Sequence, residues 1–274
     1  MSLRIHHLNC GTMCPHGGKL IGTPGGWLDP GHMVCHCLLV ETSDGLVLVD
    51  TGIGSADIAE PARQLGRGFT AITRPKLDPA ETALAQVRAL GFNPDDVRHL
   101  VVTHLDLDHA GGLADFPNAQ VHVHAREHAA AMHPSLRERA RYRKPHFAHH
   151  PNWVLHQESG EQWHGFDAVR ALPGGGDEVL LVPLHGHTRG HCGVAVHAAD
   201  GWRLHCGDAY FHHGEMQEPA YCPPGLAFFQ NLVQIDRGQR LANQQRLREL
   251  AQAEAGSVRL FSAHDPVELA RLSA

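Results

Sequence analysis

The chain has 274 residues, 42% of them apolar and 19% charged, with a formal net charge of −6. These proportions fit a globular protein with a sizeable core and exclude the concentrated basic patch that nucleic-acid binding needs. No run approaches the roughly 18 apolar residues of a membrane span; Met1–His7 lacks a secretory h-region, and the seven cysteines are an odd number, which together predict reduced thiols in a cytoplasm.

In chain order, Val34 to Glu41 and Leu46 to Val49 read as two strands joined at Ser43-Asp44-Gly45. Asp78 is placed to cap a helix with Pro79 at its first position and Glu81 closing a capping box; Leu84, Val87 and Leu90 give the apolar stripe and Gly91 the stop. The basic run Arg137 to Lys144, interrupted by Glu138, reads as a solvated helix face. Strands are predicted over Val97 to Thr103 and Ala119 to His124, with a helix starting near Ala125. Residues 133–165 show no periodicity and read as an insertion or lid within one domain spanning 1–274. Further strands follow at Glu178 to Leu184 and Val258 to Ser262. A hairpin joins His191–His197 to Trp202–Cys206, and a helix runs over Gln239 to Ala253.

The outlier is histidine, with 25 copies, and imidazole is the commonest metal ligand. His104, Asp106, Asp108 and His109 offer four nitrogen and oxygen donors within six residues, on a loop after a strand, with Gly111-Gly112 permitting a sharp turn. His187, Asp208 and His264 each follow another apolar run, where strand ends present functional groups on a rigid scaffold. Taken in order, His-x-Asp-x-Asp-His, Gly-His-Thr, Gly-Asp and a late His, with Val49-Asp50-Thr51-Gly52 near the start, resemble the metallo-β-lactamase superfamily over nearly the whole chain.

The resemblance implies an α+β fold, an αββα sandwich of two mixed sheets, with two divalent metal ions along one edge. One ion would take His104, Asp106 and His187, the other Asp108, His109 and His264, with Asp208 bridging and Asp50 orienting a ligand histidine. It implies a hydrolase that attacks a lactone, ester, thioester or amide of a small molecule with a bridging hydroxide, Asp108 passing the proton to the leaving group. One position departs from the usual His-x-His-x-Asp-His: Asp106 stands where the second histidine would be. Three carboxylates and a hydroxide then balance two divalent ions, where the usual histidine leaves one positive charge. Zinc is the first expectation, with iron or manganese favoured more than usual. The rival readings are a di-iron redox protein of the same fold and a non-catalytic metal-binding member.

Tyr210, two residues after Asp208, is a candidate oxyanion donor, although acyl-homoserine lactonases of this superfamily carry a tyrosine one residue further on, here Phe211. His185 and His191 read as structural groups near the site. Cys10, Cys14, Cys35 and Cys37 read as small buried thiols, since their spacings differ from zinc ribbons. The histidines of 146–164 read as lid-surface groups. Phe147, Trp153 and Trp163 suit either a pocket lining or a pin holding the segment to the body.

Overall fold

The computed structural model describes residues 3–172 and 179–273. One six-stranded sheet runs in chain order through β1 (Arg4–Met13), β2 (Met33–Thr42), β3 (Gly45–Val49), β4 (Val97–Val101), β5 (Gln120–His124) and β6 (Asn152–His156). The other places β7 (Glu161–Trp163), β8 (Phe166–Arg170), β9 (Val179–Pro183), β10 (Cys192–Ala198), β11 (Gly201–His205) and β12 (Val258–Phe261) in the reverse spatial order. Both sheets are mixed: β3 to β6 are parallel, as are β11 and β12, and the remaining pairs are antiparallel.

Central strands read as unbroken apolar runs because both of their faces are buried. In β2 and β3, Leu38, Val40, Val47 and Val49 face the other sheet, whose Val179, Leu181, Val194 and Phe261 meet them. Their neighbours Leu39, Leu46 and Leu48 pack outward with Val87 and Leu113. On the far side, Leu180, Val182 and Leu204 pack outward with Leu247 and Leu250 of the helix Arg237–Ala253. The result is the four-layer αββα sandwich that the resemblance implies.

Several boundaries differ from the sequence reading. The helix expected from Asp78 is two pieces: Asp78 caps a 3-10 turn, Pro79–Glu81, and Thr82 restarts an α-helix over Ala83–Ala89 by accepting from the Ala85 amide. Gly91 ends it with φ +88°. The expected strand start at Glu178 lies outside the described residues. Strand β1 was not anticipated, and neither were β6 and β7, which fall within 133–165 and form one edge of each sheet.

The rest of that segment is braced against the body. Arg137 donates to the Leu232 and Gln234 carbonyls at 2.9 and 2.7 Å, and Arg141 to Val233 at 2.6 Å. These carbonyls close the helix Pro224–Val233, where a helix leaves acceptors unsatisfied and cations are favoured. Arg143 donates to the carbonyls of Arg63 and Gln64. The basic run is therefore not a solvated helix face: three of its arginines staple the segment down, and Glu138 is buried. Trp163 is buried against Trp202, with ring centroids 5.4 Å apart, while Phe147 and Trp153 pack on the core beside the first sheet. The aromatics pin the segment. Among the described residues, no helix is long and apolar enough to cross a membrane.

Candidate metal centre

The loops leaving the C-terminal ends of β4, β9, β11 and β12 meet at one edge of the sandwich. After β4 the chain bends at Thr103 and presents His104, and Asp106 then starts a one-turn helix, Leu107–Ala110, that turns Asp108 and His109 toward the same edge. Gly111 and Gly112 do not supply a left-handed turn, because neither has positive φ. They allow close approach instead: a Cβ on Gly111 would sit 2.0 Å from the Asp57 carboxylate. Gly207 does need left-handed backbone (φ +52°), and a Cβ there would lie 2.5 Å from His191 Nε2. That turn delivers Asp208.

The structure brings all seven of His104, Asp106, Asp108, His109, His187, Asp208 and His264 together. Asp208 divides them. Its Oδ2 lies 3.3 Å from His187 Nε2 and 3.8 Å from His104 Nε2. Its Oδ1 lies 3.2 Å from His109 Nε2 and 3.1 Å from His264 Nε2. Asp106 Oδ2 joins the first group, 3.0 Å from His187 and 3.5 Å from His104; Asp108 Oδ2 joins the second, 3.5 Å from His264.

Two observations test whether such groups suit metal ions. Tetrahedral zinc with bonds of about 2.0–2.1 Å sets its ligand atoms about 3.3–3.4 Å apart, the middle of the observed range. The imidazoles are also oriented from behind. His109 Nδ1 meets Asp50 at 2.8 Å, His264 Nδ1 donates to the Val34 carbonyl at 2.8 Å, and His104 Nδ1 meets the Thr103 hydroxyl at 3.0 Å. This leaves each Nε2 aimed inward, and the buried Nε2 atoms of His104 and His109, with Asp208 Oδ1, have no hydrogen-bond partner. The residues fit two divalent ions.

The electrostatics agree. Burial opposes ionisation of Asp208, but His264, His109 and His187 outweigh it and hold its carboxyl well below the usual range. Burial likewise opposes a charge on His109, yet Asp208 and Asp50 hold it well above the ordinary imidazole value. Asp50 is buried too, and His109 outweighs that burial to lower it to about 2. Its carboxylate also accepts from the Thr103 amide and hydroxyl at 2.7 and 2.8 Å, fixing the loop that carries His104.

Several contributors were not found from the sequence. Arg141 lies 3.5 Å from Asp106 Oδ1. Glu127, fully buried, accepts from Leu105 N, Tyr142 Oη, Thr188 Oγ1 and Gly190 N, joining the loops of His104 and His187. Cys35 brings its thiol beside Asp108 and His264, with ligand atoms within 4.8 Å of one another. Burial and then Asp108 raise that thiol well above its ordinary value.

Tyr210 requires a correction. It is fully buried, and its hydroxyl bonds the Glu268 carboxyl at 3.1 Å, so it is not placed to donate to an oxyanion at the His/Asp edge. Phe211 faces that edge instead, its ring centroid 5.2 Å from His264 and 6.2 Å from His187. His191 accepts from the Asp208 amide at 2.9 Å and so positions the carboxylate's backbone. His185 turns to Glu158 and, with His124, gathers a second cluster. There His124 Nδ1 accepts from the Arg126 amide, which puts the proton on Nε2 and disfavours a metal.

A four-layer sandwich carrying paired His/Asp groups at one edge defines the class as metallohydrolase. Residues 30–256 match the family described as "Metallo-beta-lactamase superfamily", and the chain belongs to it. A "probable metallo-hydrolase" of Mycobacterium tuberculosis is 46% identical over 265 residues, 96% of this chain and 81% of the relative. An N-acyl homoserine lactonase of Bacillus thuringiensis is 29% identical over 167 residues, 60% of each chain. Among solved structures, an N-acyl homoserine lactone hydrolase with N-hexanoyl-L-homoserine at its catalytic metal centre matches with TM-score 0.73 and 22% identity, covering 99% of this chain and 97% of the other. A dizinc quorum-quenching lactonase matches with TM-score 0.63 and 16% identity over 96% and 88%. At these identities the solved structures speak to the fold.

Proposed function

We propose that the seven residues hold two divalent metal ions, zinc foremost, and that the protein hydrolyses a small-molecule carboxylic acid derivative, a lactone before an ester, thioester or amide. The observation that carries this reading is Asp208, whose two oxygens each face a different pair of histidines. Bound there, the ions supply Lewis acidity and a water that ionises near neutral pH. The chain's own residues do the rest. Asp50 and Val34 hold His109 and His264 in the tautomer whose Nε2 faces inward. Asp108, with Oδ2 3.5 Å from His264 Nε2 and with no fixed cation paired to it among the described residues, is the carboxylate we assign to moving a proton between the site and the departing oxygen. Phe211 contributes an apolar wall and no donor. The preference for a lactone rests on the Bacillus thuringiensis relative.

The test is a hydrolysis panel of N-acyl homoserine lactones, acyl thioesters and β-lactams on protein loaded with zinc. The expected result is turnover greatest on lactones, abolished by chelation and restored by zinc. Turnover confined to thioesters would keep the hydrolase and discard the lactone. Hydrolysis of none of the classes by protein holding two ions would overturn the reading.

A further inference from the structure

Among the described residues, Asp106 is the one site carboxylate with an arginine or lysine ion-paired behind it. Its Oδ2 faces His187 and His104 at 3.0 and 3.5 Å, while its Oδ1 faces Arg141 Nε at 3.5 Å. That outer oxygen is buried without a hydrogen-bond partner, so the contact is an ion pair and not a hydrogen bond. Both side chains are nearly enclosed, 13% exposed for Arg141 and 14% for Asp106. Arg141 cannot swing away, because its two terminal nitrogens are tied to the carbonyls of His187 (3.2 Å) and Val233 (2.6 Å). The guanidinium remains charged at any working pH.

We infer that Asp106 and Arg141 act as one electroneutral unit in place of a neutral histidine, with Arg141 a positioning residue that sets the charge, and hence the metal preference, of the first group. This rests on the proposed metal site. A carboxylate alone would remove one positive charge from the centre and favour hard ions such as manganese. The fixed guanidinium returns that charge, draws electron density to the outer oxygen and leaves Oδ2 a weaker, single-atom donor like an imidazole nitrogen. The tie to the His187 carbonyl makes the same arginine fix the backbone that carries a second member of the group. The dependence is mutual. A histidine at 106 would leave Arg141 buried, charged and unpaired beside two cations, a costly arrangement.

The experiment is a double-mutant cycle read by zinc affinity, in competition with a chromophoric chelator, and by the zinc-to-manganese preference. Asp106→His alone is expected to weaken zinc binding about 100-fold, the upper end for disturbing a ligand's support. Asp106→His with Arg141→Met should bind at least about tenfold more tightly than Asp106→His alone. Arg141→Met alone should shift preference from zinc toward manganese. Arg141→Gln, which can keep a carbonyl contact without the charge, replaces Arg141→Met if the latter melts early. Weakening that multiplies in the double variant, with the metal preference of Arg141→Met unchanged, would overturn the pairing while leaving the metal site intact. A wild-type chain that binds no ion would overturn both.

Discussion

Replacing Asp208 with alanine is expected to lower hydrolytic kcat/KM by about 10²–10³-fold, the worth of one group that stabilises charge in the transition state, and here it also holds the site together. One carboxylate faces His104 and His187 through Oδ2 and His109 and His264 through Oδ1. Without it four inward imidazoles confront one another with no anion between the groups. The fold should survive: Asp208 meets His191 through its backbone amide, which alanine keeps. The check is kcat/KM and metal per chain on protein whose melting curve matches wild type. Two ions and undiminished activity would show that Asp208 bridges nothing.

The second large effect lies away from the ligands. Glu127→Ala should destabilise the chain by about 3–5 kcal/mol, since a buried donor left without its acceptor costs about 1–3 kcal/mol and several are orphaned together. Two amides (Leu105, Gly190) and two hydroxyls (Tyr142, Thr188) lose their acceptor at once in a fully buried position. At about 2–4 °C per kcal/mol for chains of roughly this size, the melting midpoint should drop by roughly 6–20 °C. Zinc affinity should fall as well, since Leu105 and Thr188 adjoin His104 and His187 in sequence, and lost support of this kind costs about 10–100-fold. Thermal unfolding of the metal-free protein separates the two effects. An unchanged midpoint would mean that water satisfies those groups and that Glu127 supports nothing.

The candidate ligand set was legible in the sequence because each of its groups follows an apolar run, and such runs are conspicuous when both faces of a strand are buried. Edge strands lack that signature. In β6 no residue is fully buried, and β1 begins with Arg4, His6 and His7, so neither shows an unbroken apolar run. The arginines of 137–143 were misread for a different reason. Charge is visible in a sequence, but the backbone acceptors that hold it lie 79 to 97 residues away. Glu127 reads as an ordinary first-turn glutamate of the helix Ala125–Met132, and only the folded chain shows four donors converging on it. Tyr210 failed by one position: the backbone after Asp208 sends Tyr210 into the core and leaves Phe211 facing the histidines.

Glu268, the partner of Tyr210, shows how closed that core is. Burial raises its carboxyl to about 8, against the weaker opposing effect of the Ser262 amide. A raised acid favours folding below its unfolded value near 4.5 and loses that contribution as pH climbs through 8. Tyr210 and Glu268 therefore form a protonated, structural pair at neutral pH.

Metal content per chain, by elemental analysis of protein purified without added metal, tests the central claim most directly. The expected result is two zinc ions per chain, falling to one or none in Asp208→Ala. Two irons would redirect the chemistry toward redox and contradict the zinc assignment. A chain that holds no ion, and takes up none on titration, would contradict the metal centre itself.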